Sequence, residues 1–246
     1  MRKLLPLLIF LLIPSSAMAA PAFAEVDTQD CDSAGGASPC TETGNASGGA
    51  GTVTLVAQSS DDPTATDRDT LGCTIGGVAM TAVDNVIQGT NMEMDTFYSI
   101  GGSGNVVCNW TGTVTGGSII TITFTVSNQT SQPDSKAEDT TTGGTVVQQN
   151  ITTLTNNVMV VDFTTSSNGS TSFTPDTPQV EPTGGDLATG QLTSATSYLL
   201  RSNPGTYQHG TTVADSSNLV YQIIGIKDAA ASTTISLGTI SLGTIS

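Results

Sequence analysis

The chain has 246 residues, with 21 acidic against six basic side chains, a formal net charge of −15 and only 4% aromatic residues. Such a surface repels phosphate backbones and anionic membranes, which argues against nucleic-acid partners. The polar residues are mainly Thr, Ser, Gly, Asn and Gln, and acid–base pairs at helical spacing are nearly absent, so the composition favours strands over helices.

In chain order, Arg2 and Lys3, the apolar run Leu4–Ile13 and the small-x-small site Ala17-Met18-Ala19 make a secretory signal. Ala22-Phe23-Ala24 is a second candidate cleavage site, so the signal lies within 1–24. The apolar run is short for a bilayer span and is broken by Pro6 and Pro14. Export leaves Arg68, Lys136, Arg201 and Lys227 as the basic residues, and no later stretch is apolar enough to be a transmembrane segment.

In an exported chain four cysteines imply disulfides, and the absence of a CxxC spacing argues against zinc. Three pairings are possible. The favoured one joins Cys31 to Cys40 across a short Gly/Ser/Pro loop and Cys73 to Cys108 between two apolar strand faces. Residues 25–50 read as a disulfide-pinned, flexible arm. Thr52–Ala57 is a strand, followed by an acidic loop carrying Asp61, Asp62, Asp67 and Asp69. Those carboxylates are suitable oxygen ligands for Ca²⁺, although their spacing matches no EF-hand.

Strands are expected at Thr70–Ile75, Val78–Val83 and Met92–Ile100. Asn105–Val126 shows the densest alternation: Val106, Cys108, Trp110 and Val114 share one face, and beyond Gly116-Gly117 so do Ile120, Ile122, Phe124 and Val126. If these two strands form a direct hairpin, a three-residue turn at 116–118 sets Trp110 opposite Phe124. A long polar loop, 127–144, precedes strands at Thr145–Leu154 and Val158–Thr164. Ser166–Gly190 reads as an extended loop, Leu192–Leu200 as a strand, Ser202–Gly210 as a turn-bearing loop and Asn218–Ile226 as the closing strand. Nine or ten strands with frequent Gly, Pro and Asn punctuation make a single antiparallel β-sandwich over 51–228.

The runs CTIGGVAMTAV, YSI, GNVVCNWTG and SIITITFTVSNQT, with Ile226-Lys227 closing the last strand, resemble a family of mostly uncharacterised secreted bacterial and phage-associated β-sandwich domains. The resemblance implies a jelly-roll-like sandwich and brings no catalytic residue with it. The cysteine pair in two of the matching strands and the longer tail depart from the family pattern.

The tail, 229–246, repeats ISLGT without charge or Pro, and Ile235, Leu237, Ile240, Leu242 and Ile245 make it β-prone. Such a segment can add to an open sheet edge of a neighbouring molecule. His209 reads as an exposed loop histidine, no HExxH, GxSxG or phosphate loop is present, and no enzyme activity is expected. Tyr207, His209 and Arg201 form the one polar-aromatic loop cluster suited to a glycan. Asn45, Asn109, Asn128, Asn150 and Asn168 begin sequons. The leading expectation is therefore an exported surface or matrix component, possible as a filament subunit, with a glycan-binding module, with or without Ca²⁺, as the alternative and a hydrolase as the weakest.

Overall fold

The structure, a computed structural model, describes residues 20–31, 39–44, 48–61, 70–89, 92–111, 114–126, 130 and 132–228. It is all-β. The strands are β1 (Ala22–Asp30), β2 (Cys40–Glu42), β3 (Thr52–Asp61), β4 (Thr70–Ile75), β5 (Val78–Ala79), β6 (Thr81–Gln88), β7 (Met92–Ile100), β8 (Val106–Trp110) and β9 (Gly116–Thr125). They continue with β10 (Ser135–Thr153), β11 (Val158–Ser166), β12 (Phe173–Pro175), β13 (Leu187–Ala188), β14 (Thr193–Arg201) and β15 (Gly205–Lys227).

Three antiparallel sheets result, with orders β1-β9-β3-β7-β6, β2-β8-β4-β5 and β10-β15-β11-β14-β13. Up to β9 the chain passes back and forth between the first two. Setting aside the extra edge strand β6, their orders are first-eighth-third-sixth and second-seventh-fourth-fifth, the double Greek key of a jelly roll. The five-stranded sheet is the centre of the molecule because both its faces are apolar. Leu55, Met94, Ile122 and Phe124 pack against Val161, Phe163, Val220 and Ile224 of the third sheet. Val56, Phe97 and Ile119 pack on the other side against Cys73, Cys108 and Trp110 of the small sheet. Toward one end the first interface turns polar, where Ser59 meets Thr165 at 2.8 Å, Thr165 meets Ser194 at 2.9 Å and Ser194 meets Ser118 at 2.7 Å. Thr165 and Ser194, in the middle of the row, can each give one bond and take another, so the four buried hydroxyls are paired without charge.

Both expected disulfides are present, Cys31–Cys40 and Cys73–Cys108. Cys108 lies directly across from Cys73 on one side and Cys40 on the other. Such bonds belong to an oxidising environment. No helix among the described residues is long and apolar enough to cross a membrane.

Three expectations are corrected. Of the expected arm, 25–50, residues 32–38 and 45–47 lie outside the described residues, and its described strands are not loose: β1 pairs with β9 along its length, β2 pairs with β8, and Phe23 stacks on Tyr198 with ring centroids 5.1 Å apart. Cleavage at the second candidate site would remove Phe23 from that stack. The direct hairpin of Asn105–Val126 does not form, because β8 and β9 lie in different sheets and Trp110 and Phe124 face different cores. Gly116-Gly117 is the start of a buried strand, not a turn; side chains there would meet Gln191 Cβ at 2.8 Å and Cys31 Cβ at 3.0 Å. Finally, the polar stretch within 127–144 is half strand. β10 runs for 19 residues beside β15, and the ribbon doubles back where its register breaks, between Thr141 and Val146. Its second half, 146–153 with 205–212, folds over the third sheet and encloses a further core of Val147, Ile151, Val160, Val213, Tyr221 and Ile223.

Candidate functional site

Strand β11 reads VMVVDFT, and its one charged residue, Asp162, projects into that last core at 1% exposure. A carboxylate there must be compensated. Ser197 is its cross-strand partner on β14 and donates to Oδ1 twice, from N at 2.9 Å and from Oγ at 2.7 Å. The Tyr221 hydroxyl donates to Oδ2 at 3.1 Å, and Gln179 Nε2 donates to the same oxygen. Against these four donors, burial pushes the carboxyl up to about 7. Burial, and then the neighbouring Asp162 charge, hold the Tyr221 phenol well above its ordinary range.

The doubled-back ribbon brings His209 over this carboxylate, with Nδ1 4.0 Å from Asp162 Oδ2. His209 Nε2 lies 3.1 Å from Arg201 Nη2. A guanidinium can only donate, so Nε2 accepts and the ring hydrogen sits on Nδ1, facing Asp162. Burial, and then the Arg201 charge, lower the imidazole to about 4, so it is neutral and makes no ion pair with Asp162. Arg201 in turn lies over the Tyr207 ring, 4.4 Å from its centroid.

The three residues expected to form a ligand cluster, Arg201, Tyr207 and His209, are therefore brought together, but not in an exposed loop. Ser202–Gly210 is largely part of β15, and His209 is fully buried. Gly210, the last residue of the expected loop, is a point of close approach, where a side chain would meet Gln148 Cγ. One face of Tyr207 is occupied by Arg201, and its hydroxyl donates to Asn203 O at 2.7 Å. Tyr221 is buried, and Tyr198 lies between Phe23 and Phe124.

Of the acidic loop, Asp61 is the end of β3, where its carbonyl accepts from Thr115 N at 3.0 Å; Asp62, Asp67 and Asp69 lie outside the described residues. So do the assembly candidates Ile235, Leu237, Ile240, Leu242 and Ile245. Among the described residues no group of three or more His, Cys, Asp or Glu is placed to hold a metal ion.

Gln179 is the member that sequence reasoning missed most completely. It sits in a short strap, 176–180, tied on one side to the ribbon by Asp176 N donating to Gly210 O at 2.9 Å. On the other side Val180 and Tyr198 exchange two backbone bonds of 2.9 Å. Gly210 N donates to Gln179 Oε1 at 3.2 Å, which fixes the amide orientation and leaves Nε2 toward Asp162 and, at 2.6 Å, Ser197 Oγ. A cavity of about 10 Å³, room for one water-sized molecule, adjoins Asp162, Ser197, Ala195, Phe173 and Thr211. The one signal that could have pointed here is the lone acid in an apolar strand. Comparison of the chain with protein-family models, with curated proteins and with solved structures finds no match in any of the three.

Proposed function

We propose that the protein is an exported structural component that assembles by β-strand addition, the segment 229–246 of one copy pairing with an open sheet edge of the next. The observation that carries this reading is the second half of β10. It is an edge strand, and Thr145–Thr153 contains no charged residue and no Pro. The other long edges are guarded: β1 carries Glu25, Asp27 and Asp30, and Asp84 of β6 pairs with Lys136 at 2.7 Å. In a chain this acidic, a long uncharged edge is a place where copies can approach without charge repulsion. The ISLGT repeat is equally uncharged and β-branched. β15, which precedes that segment in the chain, ends next to the edge, because Asp134 takes a bond from Leu154 N at 2.7 Å and gives one to Gly225 O at 2.7 Å.

The test compares the full chain, a chain ending at Asp228, and Asn150→Lys, which places a charge on the exposed edge. The expected result is filaments or higher oligomers for the full chain by electron microscopy and light scattering, and folded monomers for the other two. A full-length chain that remains monomeric across micromolar to millimolar concentration would end the proposal.

A further inference from the structure

We propose that the protein cross-links itself: Ser197 Oγ attacks the side-chain carboxamide of Gln179, forming an ester and releasing ammonia. The parts of an acyl transfer are already assembled from four separate segments. The nucleophile, Ser197 Oγ, donates to Asp162 Oδ1 at 2.7 Å, as an alcohol does to its general base. The acyl group is 2.6 Å away at Gln179 Nε2, which places the carboxamide carbon within about 4 Å of Oγ. The amide oxygen, where negative charge develops on attack, already accepts from Gly210 N at 3.2 Å. The leaving nitrogen touches the other oxygen of the same carboxylate.

The step balances without any co-reactant. Asp162 Oδ1 takes the Ser197 proton as the O–C bond forms, and the oxyanion rests on Gly210 N–H. The carboxyl group then returns a proton to Nε2, the C–N bond breaks, and ammonia leaves. The net change is carboxamide plus alcohol to ester plus ammonia, with Asp162 regenerated. The adjoining cavity has room for one small molecule such as the departing ammonia. Ser197 is 2% exposed and Asp162 1% exposed, so the nucleophile and its base are shielded from bulk water, while Gln179 is half-buried. Asp162 and Ser197 touch the reacting atoms and are the catalytic residues. His209, with its N–H 4.0 Å from Asp162, is too far to hydrogen-bond it and takes no part in the step. The bond would tie the strap 176–180 to β14 covalently, a third staple beside the two disulfides and independent of whether copies assemble.

Intact-mass spectrometry of the disulfide-intact chain tests this directly. The expected mass is about 17 Da below that calculated from the mature sequence with two disulfides, from loss of one ammonia. Proteolytic mapping is expected to join the peptide containing Gln179 to that containing Ser197, and hydroxylamine to separate them with a hydroxamate on Gln179. Asp162→Asn and Ser197→Ala are expected to keep the full mass, and Ser197→Thr, which keeps a hydroxyl, to recover the loss. Folding of each variant is checked by near-UV circular dichroism. The full calculated mass in the folded wild-type chain overturns the proposal. So does a gain of about 1 Da at Gln179, because water and not Ser197 would then have reached the carbon.

Discussion

Replacing Cys73 and Cys108 together by alanine is expected to lower stability by about 3.8 kcal/mol, against about 2.6 kcal/mol for the Cys31 and Cys40 pair, by the chain-entropy relation. The sequence separations are 35 and 9, and the longer loop holds more disorder in the unfolded chain for the bond to remove. Packing does not separate the two bonds: Cys31, Cys40, Cys73 and Cys108 are all buried in the core that holds Trp110, Val106 and Ile75, so truncating either pair leaves a void there and the difference rests on loop length. Trp110 is the only tryptophan and is buried in that core, so its fluorescence follows unfolding in both variants. The measurement is the urea midpoint of each double variant at a common slope. If the Cys31 and Cys40 variant proves the less stable, loop length is not what sets the worth of these bonds.

A second large effect concerns pH. The two buried groups facing each other, Asp162 and His209, shift in directions whose consequences cancel. Asp162 rises from 3.8 to about 7, so between those values the folded chain holds a proton that the unfolded chain has lost. Its contribution is fully present below 3.8 and is lost as pH rises through 7. His209 falls from 6.5 to about 4, so there the unfolded chain holds a proton that the folded chain lacks. Its contribution is present above 6.5 and lost as pH falls toward 4. Between pH 4 and 6.5 the two slopes, each up to about 1.4 kcal/mol per pH unit, oppose one another. The pair in the wild-type chain is thus expected to leave stability nearly level across that range. Asp162→Asn unmasks the histidine, and stability should climb with pH by on the order of 3 kcal/mol from 4 to 6.5. His209→Gln unmasks the carboxyl, and stability should decline with rising pH by a similar amount. Asp27, raised to about 6 by burial and then by the charges of Glu25 and Glu42, adds a slope of the Asp162 sign, as does Asp186, raised to about 7 by burial and Glu181. Both are more exposed, and solvent screening reduces their share. They act alike in all three chains, so the difference between variants isolates the buried pair. Urea unfolding at several pH values between 4 and 7 provides the check. Equal slopes for Asp162→Asn and His209→Gln would show that the two groups do not titrate as argued.

Strand positions were legible where burial on one face writes a period of two into the chain, as in Val106, Cys108 and Trp110, or a continuous apolar run, as in Val158–Phe163. The disulfide pairing was legible too, because two cysteines sat on strand faces and two flanked a short loop. What failed was the reading of glycine and of polar stretches. Gly116 and Gly117 looked like a turn and Ser202–Gly210 like a turn-bearing loop, but in the fold Gly116, Gly117 and Gly210 are strand positions where a neighbour comes too close for a side chain. Residues 135–144 looked like a loop because they are polar, yet an edge strand with one exposed side requires no apolar residues.

The candidate site was legible in part. Arg201, Tyr207 and His209 are close in sequence and were grouped on that ground, but nothing local indicates that His209 is buried. That depends on β15 bending over its own sheet, which is set by a register break between partners distant in the chain. Asp162, Gln179, Ser197 and Gly210 come from four segments, and only the pairing of β11 with β14 and the strap held between β14 and the ribbon bring them into contact. By itself, then, the sequence determined the all-β class, the two disulfides and most strand positions, since these follow from side-chain type and spacing along the chain. The tertiary structure alone decided which strands share a sheet, which faces are buried and which polar groups meet, because each of those depends on contacts between residues far apart in the chain.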